Sequence, residues 1–430
     1  MIARRHILIL GTFLLAVLLY VDRICISTAK GPVTADLRLS DTEFGWVLSA
    51  FALGYALFQT PTGMLADRYG PRLVLAAVVA AWSVFTGLTG SVTGLAALLV
   101  VRFLFGAGEA GAFPGMARAI YAWIPMRERG VAQGVNFSGG RLGAAFALPG
   151  VSALVEALGW RQTFAVLMLV GFVWAVAWFF WFRDDPADHP GLSNEERGLI
   201  LATRQQALIP AGDRPVRLSL PLLLRSDTLW LLMLQYFCSN FTFFFCLTWL
   251  FPHLKETYQL DSVTAGWYAA APFVCGAVGT VCSGWLVDRI YRAGQWTLSR
   301  RIPAALGFTL AAGGLVASVF TDTAGGAVAW LSVAVFGADM TLSPSWAVCV
   351  DIGRDQAGAV SGTMNMAGNL GSFVTALAFP YLLKWTGQVD VFFFTGAALN
   401  ILAVAAWLVI RPDRPIESEA RIQPKEVGES

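Results

Sequence analysis

The sequence predicts an all-α membrane protein of twelve transmembrane helices, arranged as two six-helix bundles with both termini in the cytoplasm. Three observations predict it. Of the 430 residues, 56% are hydrophobic and 13% charged, with a mean hydropathy of +0.62, whereas a soluble domain carries roughly 25% charged residues. Apolar stretches of the roughly 20 residues that a bilayer core requires recur along the whole chain. Finally, basic residues gather in alternate connections, and one short motif occurs twice, at matching points of the two halves.

The spans fall near 6–28, 44–64, 73–92, 95–118, 130–154, 161–182, 228–252, 264–286, 303–320, 327–350, 357–382 and 388–410. The first apolar run, Ile7–Tyr20, follows Arg4 and Arg5 as a signal peptide would. It has no small-x-small cleavage site and continues into Val21-Asp22-Arg23, so it is read as a membrane helix. The net charge of +2 says little; its distribution says more. Arg68/Arg72, Arg127/Arg129, Arg183–Arg225, Arg289–Arg301 and Arg411–Lys425 share one side, leaving Lys30, Arg38, Arg161, Lys255 and Lys384 on the other. By the positive-inside rule the richer side is cytoplasmic. The short tails and outer loops point to a bacterial inner membrane.

The polar connection divides the spans six and six. The domains read 1–182, a linker 183–227, 228–411 and a cytoplasmic tail 412–430. Within the linker, Ser193-Asn194-Glu195-Glu196 spells a capping box and predicts a short helix over 194–207 whose charges form a solvated face. The six cysteines, Cys25, Cys238, Cys246, Cys275, Cys282 and Cys349, lie in apolar segments without CxxC spacing and read as buried and reduced.

Charges inside the spans point to function. Arg102 and Glu109 stand in the glycine-rich run 95–118, where a central charge costs about 2.5–3.5 kcal/mol on insertion scales. Two helical turns apart, they project from nearly one face, roughly 10 Å apart along the axis. That face must look at protein or at a water-filled cavity, so it reads as the wall of a transport path. The alternative is a structural ion pair in which each residue finds its partner on another helix. In all, three arginines (Arg23, Arg102, Arg141) and three acids (Asp22, Glu109, Asp339) are intramembrane, with no lysine or histidine deep in any span. Proton handling would fall to carboxylates, whose proton affinity responds to burial and to nearby arginines; guanidinium forks suit carboxylate recognition and stay charged.

The repeated motif is Gly63-Met-Leu-Ala-Asp67-Arg68-Tyr-Gly-Pro-Arg72 after span two and Gly284-Trp-Leu-Val-Asp288-Arg289 after span eight. Glycine permits close helix contact, while aspartate and arginine can cap helix ends and pair across neighbours. The set therefore reads as a conformational latch, and parallel six-helix repeats suit alternating access around a midplane site.

At these residues the chain resembles the major facilitator superfamily, through the GMLADRYGPR loop. Tyr20-Val-Asp22-Arg23, Arg102-Phe-Leu-Phe-Gly106-Ala-Gly108-Glu109 and Ser361-Gly-Thr-Met-Asn365-Met-Ala-Gly-Asn369 resemble its anion:cation symporter branch, which includes hexuronate, glucarate and galactonate transporters and sialin. The resemblance implies the major facilitator fold and proton-coupled symport of an organic anion, a sugar acid or related carboxylate. It associates Arg23 and Arg102 with the substrate carboxylate, Asp22 and Glu109 with proton coupling, and Tyr20 and Tyr55 with the cavity wall. Arg141 and Asp339 depart from the sugar-acid members. They read as a substrate anchor and a third protonatable group, or as each other's counter-ion.

With all six groups ionised the charges balance, and protonating one acid leaves a surplus that a carboxylate substrate can neutralise, so that proton and substrate favour each other's binding. In the second half, Asp339, Ser343 and Trp346 fall at i, i+4 and i+7, and Asn365 and Asn369 at i, i+4; Asn240 lies on span seven. Such groups can read substrate hydroxyls or serve as interhelical glue. The phenylalanines around Phe241–Phe245 read as core or lipid-facing.

Two other function classes compete. An exchanger of organophosphates or other anions would be expected to place a cation in span seven, and Leu229–Pro252 contains none. A transporter-like solute sensor would be expected to carry an added interaction domain. No ATP-binding loop, metal cluster or nucleophile motif suggests an enzyme. No cofactor and no nucleic-acid partner are expected. The expected partners are a small organic anion, protons and the lipid bilayer, with a monomer as the functional unit.

Overall fold

The computed structural model describes residues 3–205, 220–260 and 262–416, and the described residues are helical throughout, with no strand. In chain order the helices are α1 Arg4–Thr28, α2 Lys30–Leu37, α3 Asp41–Tyr69, α4 Pro71–Thr89, α5 Leu95–Glu109, α6 Ala112–Trp123, α7 Arg129–Leu158, α8 Trp160–Trp181 and α9 Asn194–Thr203. They continue as α10 Leu220–Leu223, α11 Asp227–Thr248, α12 Leu250–Tyr258, α13 Ser262–Arg292, α14 Trp296–Val319, α15 Ala324–Met340, α16 Leu342–Gly353, α17 Ala357–Thr386 and α18 Asp390–Val409. At least nine stretches among the described residues are long and apolar enough to cross a bilayer.

Local chemistry sets the ends. Ser40 and Glu43 form a reciprocal capping box at α3, Ser226 accepts from the Leu229 amide at α11, and Pro71 opens α4, where its missing N–H is no loss. The 95–118 and 327–350 stretches, read from sequence as single spans, each run on as one apolar helical stretch with a local irregularity in its hydrogen bonding. α5 gives way to α6 after Glu109, around Ala110 and Gly111, and α15 to α16 at Thr341. The short helices α2 and α12, at the ends of α1 and α11, were not foreseen.

The linker helix ends at Thr203, short of the expected 207, and residues 206–207 lie outside the described set, as does the tail beyond 416. The capping box expected there is half made. Ser193 accepts from the Glu196 amide at 3.2 Å, but the Glu196 carboxylate accepts from the Arg4 and Arg5 amides at 2.9 and 3.0 Å. The N–H groups opening α1 have no partner within their own helix, and the Glu196 carboxylate supplies one at the positive end of that helix.

The chain forms two compact units, one of residues 3–125, 139–205 and 355–363, the other of 126–138, 220–354 and 364–416. The first has an apolar core built on Cys25, Phe44, Leu98, Trp160 and Phe164. The core of the second gathers Phe241, Phe243, Phe245, Phe379, Phe392 and Phe393, so these phenylalanines of span seven are core. Large apolar side chains such as Phe146, Val173, Trp267, Phe320 and Phe373 point outward while Asp22, Arg102, Glu109 and Asp339 are buried. This is the partition a bilayer imposes. The cysteines follow it incompletely: four are buried, Cys275 is half-buried and Cys282 is exposed, since a thiol on a lipid-facing helix surface meets no water to avoid.

Candidate functional site

In the first unit, α1, α3, α4 and α5 bring the predicted charges together. Arg23 Nε donates to Glu109 Oε1 in a salt bridge whose carboxylate is fully buried and whose guanidinium side chain is 20% exposed. Aromatic faces box that guanidinium: its Cζ lies 4.3 Å from the Tyr55 ring centroid, 5.3 Å from Tyr20 and 5.4 Å from Phe51, close enough for cation–π attraction. Asp22, next in sequence, turns the other way, and its Oδ2 accepts from Trp82 Nε1 at 3.1 Å. Arg102 is 1% exposed and sits 4.4 Å from the Phe105 centroid and 5.2 Å from Phe51. Its charge lies within electrostatic reach of Asp22, Arg23 and Glu109. Arg102 and Glu109 do not pair with each other; α1 supplies the partner of Glu109.

The cluster keeps spare bonding capacity. Asp22 Oδ1, Arg23 Nη2, Arg102 Nε and Glu109 Oε2 are all buried and have no hydrogen-bond partner. An unsatisfied buried polar atom costs about 1–3 kcal/mol, more when charged, and native cores rarely hold several side by side. Two donors and two acceptors are thus left open within the cluster. Arg141, from α7, reaches the same neighbourhood, its Nη1 donating to the Tyr20 hydroxyl at 3.3 Å.

The second-half candidates are bound into packing. Asp339 is buried with its carboxylate against Gly276, where a Cβ would overlap it. Asp339 stands on α15 and Ser343 and Trp346 on α16, on either side of Thr341, whose backbone stays helical. Ser343 Oγ donates to the Gly130 carbonyl at 3.0 Å. Trp346 Nε1 donates to the Tyr236 hydroxyl at 3.0 Å and its ring lies 5.3 Å from Phe137. Asn240 and Asn369 spend amide donors on carbonyls one turn back, Tyr236 and Asn365, at 2.9 and 2.8 Å.

The two motif copies do matching things. A Cβ on Gly63 would overlap the Gly358 carbonyl, and one on Gly284 the Gly130 carbonyl, so in each place backbones touch. Asp67 accepts from the Gly358 and Ala359 amides at 2.9 and 2.7 Å, and Asp288 from the Gly130 and Val131 amides at 2.8 Å each. Each aspartate thus caps the start of a long helix, α17 or α7. Arg68 and Arg289 stay exposed and stack on their own helices' Tyr69 and Trp285. Arg72 turns to the end of α8, donating from Nε to the Phe179 carbonyl at 2.8 Å. The sequence reading missed the arginines that do pair: Arg118, 3.0 Å from Asp355, and Arg129 and Arg300, 2.7 and 2.9 Å from the fully buried Asp351. Arg129 and Arg300, near span ends, had been counted only as topology charges, and Arg118 had not been singled out.

The described residues thus form a helical fold with a buried arginine–carboxylate cluster on its first and fourth apolar stretches. The family model described as Major Facilitator Superfamily matches residues 12–376, and the chain belongs to that family of multi-pass membrane transporters rather than to any class of enzyme. It is 34% identical over 421 residues to a probable sulfoacetate transporter of Cupriavidus necator, covering 97% of this chain and 96% of that one. To a hexuronate transporter of Bacillus subtilis it is 29% identical over 422 residues, covering 95% and 94%. Among solved structures, the proton:xylose symporter XylE superposes with a TM-score of 0.73 at 16% identity, covering 96% and 98%, a likeness of fold.

Proposed function

We propose that the protein is a secondary active transporter that moves a small organic anion together with protons by alternating access. The observation that carries this reading is the Arg23–Glu109 pair with its unspent donors and acceptors. A substrate acid group takes Arg23, and a proton on Glu109 releases that arginine to it, so each ligand lowers the cost of binding the other. Arg102 holds the remaining negative charge of Asp22 and Glu109 in balance. The sulfoacetate and hexuronate relatives support an organic acid as the cargo.

In this reading twelve spans form two six-helix bundles, 1–182 and 228–411, joined by the linker 183–227, with the tail 412–430 and both termini cytoplasmic. The setting is a bacterial inner membrane and the working unit a monomer. The aspartate clasps of the two motif copies hold helix ends together in one state and must release for the other. Asp339 is a further protonatable group.

The test is a thermal-shift panel of organic acids and matched neutral sugars on the detergent-purified protein, at mildly acidic and alkaline pH, followed by uptake into liposomes. Stabilisation by acids alone, stronger in acid and lost in Arg102→Ala, with uptake driven by an imposed proton gradient, is the expected result. Stabilisation by neutral sugars, or uptake indifferent to the gradient, overturns it.

A further inference from the structure

We infer that Trp82 is the positioning residue of the buried charge cluster: its indole holds Asp22 off Arg102 and so keeps Arg102 open to the anion. The inference rests on the organic-anion reading above and adds a residue of α4 to its machinery.

The pairing pattern carries it. α1 contributes Asp22 and Arg23 and α5 contributes Arg102 and Glu109, two acids and two arginines that two ion pairs would satisfy. One pair is made, Arg23 with Glu109. The other is not, although Asp22 and Arg102 are each 1% exposed and lie within electrostatic reach of one another. The atoms that the second pair would use are the ones left over: Asp22 Oδ1 and Arg102 Nε are buried with no hydrogen-bond partner. Opposite charges enclosed together gain by closing on each other, since an unpaired buried charge is the costly arrangement. Something must hold these two apart.

Trp82 does so. Its Nε1 donates to Asp22 Oδ2 at 3.1 Å, the one hydrogen bond that this carboxylate makes among the described residues. An indole N–H is a donor only, so it orients the acid without competing for its proton. The ring is fixed in place. Trp82 is fully buried, its carbonyl accepts from Thr86 Oγ1 at 3.0 Å, and a Cβ on Gly108 would sit 3.2 Å from its backbone nitrogen. α4 therefore abuts α5 one residue before Glu109. Arg102, for its part, is held by the Phe51 and Phe105 rings, which attract a guanidinium without spending its donors. An acid held by a neutral donor and a base held by rings leave the bonding capacity of Arg102 to a third group, the acid group of the substrate.

The experiment is a double-mutant cycle on the detergent-purified full-length protein at alkaline pH, reading anion affinity by calorimetry with sulfoacetate and galacturonate as probes. Trp82→Phe removes the N–H and keeps an apolar ring. Asp22 is then free to close on Arg102, and affinity should fall about tenfold. Beside Asp22→Asn there is no carboxylate to close, and the same change should alter affinity by less than about twofold, so that the two substitutions are strongly non-additive. Trp82→His, which keeps a ring N–H should the phenylalanine variant not fold, should stay within about threefold of wild type. A cavity left by a smaller ring would weaken binding equally with and without Asp22→Asn, and that result in either variant overturns the inference. So does a Trp82→Phe variant that binds as wild type does, and both results leave anion symport standing. Wild type that binds neither these acids nor any other of the panel above overturns the anion reading and this inference with it.

Discussion

Replacing Glu109 by glutamine keeps the shape of the side chain and removes its charge. In the wild type at alkaline pH the ionised carboxylate occupies Arg23 Nε, so an incoming acid group has to win that guanidinium from a partner already in place. A hydrogen bond to a charged group contributes about 1.5–3 kcal/mol net, and at about 1.4 kcal/mol per factor of ten this handicaps the substrate roughly ten- to a hundredfold. The neutral amide of Glu109→Gln leaves Arg23 only weakly engaged, and its ring box of Tyr20, Phe51 and Tyr55 still holds it in place. Anion affinity at alkaline pH should therefore rise toward the wild-type value in acid, and acidification should no longer improve it. Calorimetric titration of both proteins across that pH range reads the effect directly. In liposomes the variant should exchange labelled for unlabelled substrate yet fail to accumulate it against a gradient. A variant that keeps the full wild-type gain on acidification would refute the reasoning, because another group would then carry the coupled proton.

Three further outcomes are expected. Asp351→Asn strips the charge from a fully buried carboxylate that answers both Arg129 and Arg300; breaking such a pair costs about 3–5 kcal/mol, and the melting temperature should fall well below that of an exposed control such as Arg68→Gln. Gly284→Leu drives a side chain into the Gly130 carbonyl and should part α13 from the start of α7, so that a cysteine introduced at Val131 gains reactivity toward a water-soluble maleimide; unchanged labelling would contradict the contact. His189, wedged 5.3 Å from both Trp123 and Trp181 and accepting from the Gly191 amide at Nδ1, is held below the usual histidine range by burial and by the nearby Arg4 and Arg183 charges. The folded state thus prefers the neutral ring, its contribution is complete above the unfolded value of about 6.5 and is lost as pH falls below it, and His189→Gln should flatten the pH dependence of melting in that window.

The charged cluster of the first half was legible because a bilayer leaves so few reasons for a charge to be inside it. Asp22, Arg23, Arg102 and Glu109 stood out on composition alone, and helical spacing already implied that Arg102 and Glu109 would look to other helices. Spacing could not say that the other helix was α1, since that depends on how helices pack. The second half was less legible. Spacing put Asp339, Ser343 and Trp346 on one face, but it could not say that Ser343 would spend its hydroxyl on the Gly130 carbonyl and Trp346 its indole on Tyr236. Arg129 and Arg300 escaped notice because a cation near a span end has a sufficient explanation in topology, and Arg118 was not singled out at all; only three-dimensional pairing with Asp351 and Asp355 distinguishes a buried partner from a loop charge. Glu196 was placed on the correct helix, but the dipole it serves belongs to α1.

The aspartates of the repeated motif each accept two main-chain amides, with Arg118 standing 3.9 Å from Asp67, and the main-chain part of this grip shapes how the two copies can drift over evolutionary time. A clasp that reads backbone places no demand on the identity of the residues it holds, provided they are small enough to let the helices meet. The demand falls instead on the clasping side, where one glycine must stay bare and one acid must stay four positions later. The copies Gly63–Arg68 and Gly284–Arg289 keep Gly, Leu, Asp and Arg and differ at the two remaining positions. The two motif copies can therefore vary at the positions between glycine and aspartate while each keeps its own helix contact.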